Sequence, residues 1–199
     1  MKKFFGFFLL AAALVLTGCS KMTSAAIVGG EEIGLDQLQS EVDAILKERN
    51  GVDTSQMNLE TGDVLTRSHL SLLIANRIVD EIAKDLEIEI SKADLESYRV
   101  EIYATIGGEA NLPRILVNAG IPRIALDKIL RRELILRKIS EAAKSIGADD
   151  ETISQDIQKL VADKSTELKI SVNPRYGKWD NTSLNVVDAE PTGDAVKTN

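Results

Sequence analysis

Leu70-Ser71-Leu72-Leu73-Ile74-Ala75-Asn76-Arg77-Ile78-Val79-Asp80-Glu81-Ile82-Ala83-Lys84-Asp85-Leu86 decides how the chain is read. Leu70, Ile74, Ile78, Ile82 and Leu86 recur every four residues. Leu73, Ala75, Val79 and Ala83 widen that stripe. An i, i+4 repeat places apolar side chains on one face of an α-helix. A stripe this broad predicts a helix, running from about Thr66 to Leu86, that is buried around much of its circumference.

The same periodicity extends in both directions. Leu35, Leu38, Val42, Ile45 and Leu46 predict a helix over Leu35 to Arg49, stopped by Asn50-Gly51. Ala26-Ile27-Val28, Gly29-Gly30 and Glu31-Glu32-Ile33 read as a small hairpin, because two glycines supply the positive φ of a two-residue turn. Beyond the central stripe, Ser91-Lys92-Ala93-Asp94 resembles a capping box with Asp in place of Glu. It opens a helix with Leu95, Tyr98, Ile102 and Ile106 on one face, ended by Gly107-Gly108. Asn111 to Asn118 is a short helix closed by Ala119-Gly120. Pro122 suits the first turn of a further helix reaching about Ser145, read as the longest of the chain. Glu133–Arg137 and Lys138–Glu141 are its candidate ion pairs. Asp149 and Asp150 cap another helix, with Ile153, Ile157, Leu160 and Val161 on one face. Leu168, Ile170 and Val172 alternate with polar residues, so Thr166 to Val172 predicts a late strand. From Asn181 onward the chain is polar and reads as a disordered tail over 181–199.

The composition excludes several function classes. The 199 residues include one Cys and one His, which removes an internal disulfide framework and most zinc sites. Twenty-four Lys and Arg against 31 Asp and Glu give a formal charge of −7, opposite in sign to a duplex-binding surface. Neither a P-loop, an EF-hand loop, a nucleophile elbow nor a His-Glu-x-x-His motif occurs. No catalytic residue, metal ligand or cofactor site is predicted.

The N-terminus reads as an address. Met1-Lys2-Lys3 precedes an uncharged apolar run, Phe4 to Val15. Twelve helical residues span about 18 Å, short of a bilayer core of about 30 Å. Residues 1–18 are therefore a signal peptide rather than a membrane span. Leu16-Thr17-Gly18-Cys19 resembles the bacterial lipobox. That resemblance implies lipidation of Cys19, a lipidated linker over 19–25, and a protein anchored on the extracytoplasmic side of a cell membrane. Loss of Lys2 and Lys3 lowers the formal charge from −7 to −9. It also removes all four Phe, so the core must be built from Leu, Ile, Val and Ala.

Four further features have two readings each. His69, near the start of the central helix, is a surface or capping histidine, or else a base that lacks an obvious nucleophile. Ser68 and Ser71 are too close along the helix to face it. Glu31-Glu32 and Asp149-Asp150-Glu151 are ordinary surface acids and helix caps, or groups for metal binding or acid/base work. Asn181-Thr182-Ser183 matches a glycosylation acceptor that carries no information beside a bacterial lipobox. In Asn173-Pro174-Arg175-Tyr176-Gly177-Lys178-Trp179-Asp180, Pro174 and Gly177 make a turn, and Tyr176 and Trp179 either pack on the helices or form an exposed contact.

The order of elements carries a resemblance. A lipobox is followed by strand-like Ala26 to Ile33, a helix, Leu72 to Val79, and Ala83-Lys84-Asp85-Leu86-Glu87-Ile88-Glu89-Ile90-Ser91. Then come the Leu112-Pro113 to Ile121 helix and the long helix with Leu130-Arg131-Arg132-Glu133-Leu134. Over residues 26–172 this resembles the N-terminal chaperone domain of the SurA/PrsA/trigger-factor-like family. The resemblance implies a mainly α, irregular multi-helix domain over 26–180, with a small β element in which Ala26–Ile33 meets Leu168–Val172. It implies ATP-independent binding of unfolded or partly folded secreted or envelope polypeptides. Many members add a parvulin-type prolyl isomerase domain, far longer than the 27 residues that follow Val172. The usual parvulin His pair has no counterpart here either, so a non-enzymatic protein is expected. Leu112, Pro113, Ile121, Ile124, Leu130, Tyr176 and Trp179 are the candidate client-binding residues. An adaptor for one specific envelope partner, or a residual isomerase, is the alternative.

Overall fold

The computed structural model describes residues 24–189. Cys19, the leader and most of the linker lie outside the described residues. The element order is β1 (Ser24–Val28), β2 (Glu31–Gly34), α1 (Leu35–Arg49), α2 (Gly62–Asp85), α3 (Lys92–Thr105), α4 (Leu112–Ala119), α5 (Leu126–Ser145), α6 (Asp150–Glu167), β3 (Ser171–Val172), β4 (Lys178–Asp180) and β5 (Asn185–Val187). The fold is mainly α. Single 3-10 turns at Glu109–Asn111 and Arg123–Ala125 lead into α4 and α5.

The stripe of α2 is the axis of the molecule. Leu65, Leu70, Leu73, Ile74, Ile78 and Ile82 are all buried in the main core, against α1, β1, α6 and β5. Each such side chain contributes about 1.5–3 kcal/mol on burial. Val79 and Ala83, on the flank, join Ile135 of α5 in a second cluster. Leu86 sits past the end of the helix, as its C-cap, and is exposed. The helix starts four residues before Thr66, at Gly62, and at 24 residues it is longer than the 20-residue α5. Thr61, in extended backbone, is its N-cap, and the polar Gly62-Asp63 start hides the first turn from an apolar-periodicity reading.

The predicted hairpin forms, with Val28 opposite Glu31 and Ile27 opposite Glu32. Gly29 and Gly30 take φ of +59° and +88°. A Cβ at Gly29 would lie 2.7 Å from Leu168 Cδ2, the movable tip of a side chain, so it is the positive φ that calls for glycine in this turn. Early and late strands pair in the sheet order β2-β1-β3, with Ala26 opposite Val172 and Ile27 opposite Ser171.

The late strand is shorter than its alternation suggests. Residues 166 and 167 belong to α6, whose Lys164 carbonyl still accepts from the Leu168 amide at 3.0 Å. Lys169 turns the chain with φ +48°, leaving Ser171–Val172 as the ladder. Asn173 ends it, donating from its amide to the Ala25 carbonyl at 2.9 Å and from Nδ2 to the Ser24 carbonyl at 3.1 Å.

The predicted boundaries at both ends need correction. Ser24 and Ala25, assigned to the linker, are buried residues of β1. The tail assigned from Asn181 is ordered through residue 189. β5 pairs antiparallel with β4, Trp179 opposite Val186, and Val186 is buried in the main core. A strand of three residues is too short to announce itself by alternation.

The caps follow the sequence closely. Ser91 and Asp94 form a reciprocal capping box, at 3.0 and 3.1 Å. Asp149 accepts from the Thr152 amide at 2.8 Å. Gly120, at φ +64°, closes α4.

Candidate functional site

The seven candidate client-binding residues separate into three groups. Leu112 and Leu130 are 2% and 4% exposed, and with Leu116 and Leu126 they form a small core between α4 and α5. Ile121 packs at its edge. Leu112 and Leu130 are therefore core residues and not surface contacts, which corrects the sequence reading. α3 covers them, laying Leu95, Tyr98, Ile102 and Tyr103 across the cluster.

Pro113 and Ile124 stay at the surface, and Ile124 is 63% exposed. Two side chains not singled out by the sequence join them. Leu46 of α1 and Ile115 of α4 are also exposed. The elements carrying them meet: the Arg123 amide donates to both carboxylate oxygens of Glu48, at 3.0 and 3.1 Å, and α1 packs on α4 and on the Arg123–Ala125 turn. Leu46 follows the buried Ile45 in α1 and lies at the edge of that helix's apolar face.

Tyr176 and Trp179 pack against the main core. Trp179 Nε1 donates to Ser165 Oγ at 2.7 Å and to Asn181 Oδ1 at 3.0 Å. Ser165, itself buried, donates to Asn181 Oδ1 at 2.6 Å. The Val186 amide donates to Ser71 Oγ at 2.8 Å, and Ser71 donates to the Arg67 carbonyl. Arg67 pairs with Asp188 at 2.6 Å. The β4–β5 hairpin is thus fastened to α2 and α6 by polar contacts as well as apolar ones.

His69 is neither exposed nor a cap. It is 2% exposed, and its Nε2 lies 2.9 Å from Glu41 Oε2, joining α2 to α1. Gln37 Nε2 donates to Glu41 Oε1 at 3.1 Å, and Lys128 Nζ lies 3.6 Å from that oxygen. Burial alone raises the Glu41 carboxyl, but the His69 and Gln37 hydrogen bonds and the Lys128 charge prevail and hold it below the usual value. His69 Nδ1 has no partner. Ser71, the nearby hydroxyl candidate, is engaged with Val186 and Arg67. This constellation braces helices.

The acidic clusters resolve the same way. Asp149 is a cap, and its acidity is strengthened by the Thr152 amide. Glu31 pairs with Arg77 of α2 at 2.7 Å. No group of three or more His, Cys, Asp or Glu suited to a metal ion occurs among the described residues. The charges of α5 reach other elements instead of their own helix alone. Arg137 takes Glu101 of α3 at 2.8 Å and Lys138 takes Asp94 of α3 at 3.3 Å, while Glu133 pairs with its neighbour Arg132 within α5 at 2.7 Å. These replace the expected Glu133–Arg137 and Lys138–Glu141 pairs. No helix among the described residues is long and apolar enough to cross a membrane.

The fold and its surfaces define a mainly helical domain whose chain ends are tied by strands. The family model for the SurA-like N-terminal domain matches residues 2–104, and the chain belongs to that family, a chaperone-type one. No curated protein and no solved structure matches it.

Proposed function

We propose that this protein is a lipid-anchored, extracytoplasmic chaperone-like module that binds unfolded or partly folded secreted or envelope polypeptides without ATP. Family membership carries the reading, and its chaperone character supports polypeptide substrates. The exposed apolar side chains Leu46, Ile115 and Ile124, on three elements that meet, supply a surface of the right chemistry. Weak, reversible burial of a client's apolar segments there needs no nucleotide, and release follows competition with client folding. The lipobox-like Leu16-Thr17-Gly18-Cys19 supports anchoring through Cys19, since two or more acyl chains hold a protein stably at a membrane. Catalysis has no place in this reading.

A second reading is an adaptor dedicated to one envelope partner. The burial of Leu112 and Leu130 favours it, because it removes the broad apolar floor that a generic binder would offer. The two are separated by adding the purified full chain to several unrelated aggregating clients, alongside a prolyl isomerisation assay. Suppression near stoichiometric ratios without isomerisation supports the chaperone. No suppression of any client supports the adaptor. Isomerisation above background overturns both.

A further inference from the structure

α3 differs from the other long helices. None of its residues is buried, while α1, α2, α5 and α6 each have buried ones. Leu95, Tyr98, Ile102 and Tyr103 are half-buried, with Leu112, Leu116, Leu126 and Leu130 beneath them, while Val100 is exposed. Ion pairs tie it to α5 alongside this apolar contact. Asp94 meets Lys138 at 3.3 Å, Arg99 meets Asp127 at 2.8 Å, and Glu101 meets Arg137 at 2.8 Å. The Arg137 guanidinium also lies 4.5 Å from the Tyr98 ring centroid. These pairs run from the first turn of the helix to Glu101, in its third.

The segments flanking α3 suit a hinge. Before it, Glu87 takes φ +53°, and Ile88 to Ile90 form no regular structure. An open concavity of about 1030 Å³ lies beside this segment, lined in part by Ala83, Ile88, Ile90, Asp94 and Arg131. After it, Gly107 and Gly108 take φ of +79° and +109°, and a Gly-Gly pair changes conformation at little steric cost. Lys138 Nζ donates to the Glu89 carbonyl at 3.0 Å, so the latch also holds the first hinge.

We propose that α3 is a salt-latched lid, closed on the Leu112–Leu116–Leu126–Leu130 floor by its ion pairs with α5 and able to lift without unfolding the rest of the domain. Half-exposed ion pairs are screened by salt, whereas the buried stripe of α2 is not. Local opening then has a lower free energy than global opening, and ionic strength sets the gap.

Hydrogen exchange on the full chain tests this. Raising salt from about 10 mM to about 1 M shortens the Debye length from about 30 Å to about 3 Å. We expect amide exchange over residues 96–105 to rise about tenfold, with residues 70–82 unchanged. The double variant Arg137→Gln, Lys138→Gln should reproduce the rise at low salt, and Lys159→Gln, which breaks an exposed pair on α6, should not. Exchange in α3 that keeps pace with α2 at every salt concentration overturns the lid. The salt series on the unsubstituted chain decides the matter even if the double variant fails to fold.

Discussion

At the scale of single residues, the informative side chains are the buried polar ones. Glu41 is a buried acid, kept ionised by His69, Gln37 and Lys128. Glu41→Gln removes the charge that orders these partners and is expected to cost about 1–3 kcal/mol of stability, read as a lower urea midpoint. The acid dependence has a definite sign. A carboxyl held below its unfolded value, about 4.3 for Glu, contributes stability that is present above that value and lost as pH falls through the folded one. The unsubstituted chain should thus lose stability on acidification below about pH 4.3 more steeply than Glu41→Gln. Equal slopes would show that Glu41 has no special role. At the surface the expectation reverses. Ile124→Ser should change stability by less than about 0.5 kcal/mol, because its side chain is mostly in water, yet it should weaken suppression of client aggregation. Leu130→Ala should do the opposite, costing about 2–5 kcal/mol through a cavity under α3.

At the scale of elements, sequence and structure agree where a period is long and diverge where an element is short. α1 runs over the predicted Leu35 to Arg49, and the capping box at Ser91 is present in both directions. These were legible because a helix writes its face over four or five turns and its cap in specific residues. β3, β4 and β5 write two or three residues each, below the length at which alternation is distinguishable from chance. The site was legible only in part. Apolar periodicity marks residues that leave water, so it found Leu112 and Leu130, and these turned out to be interior. Ile115 carried no separate signal, because exposure of one apolar residue on an amphipathic helix depends on which neighbour arrives. Gly177 shows what a short element can demand. It takes φ +122°, and a Cβ there would lie 2.0 Å from the Val187 carbonyl oxygen. Gly177→Ala cannot be accommodated without parting β4 from β5. Loss of the Trp179 near-ultraviolet circular dichroism signal would report it, and an unchanged signal would show that the hairpin tolerates the shift.

At the scale of the whole molecule, the chain is closed on itself twice. β3 returns to β1, and the β4–β5 hairpin then returns to α2 and α6, so residues beyond 172 complete a core that begins at residue 24. The second closure is easily mistaken for a dispensable tail, since Asn181 onward is polar in composition. Its removal is nevertheless costly on physical grounds. Truncation after Asp180 takes away Val186, whose burial is worth about 1.5–3 kcal/mol. It also strips Asn181 from Trp179 and Ser165, and the Val186 amide from Ser71, at about 1 kcal/mol for each hydrogen bond lost. The sum, about 4.5–6 kcal/mol, is a large share of the ~5–15 kcal/mol by which a domain of this size is stable. A chain ending at Asp180 should therefore melt well below the full chain, and should expose Leu70 and Leu73 enough to bind a hydrophobic dye before global unfolding. Such a truncation would also suppress client aggregation through an artificial patch, so stability must be measured before any gain in activity is credited to the native surface. An unshifted melting temperature would mean that β5 only rests on α2, and that the core is complete at Asp180.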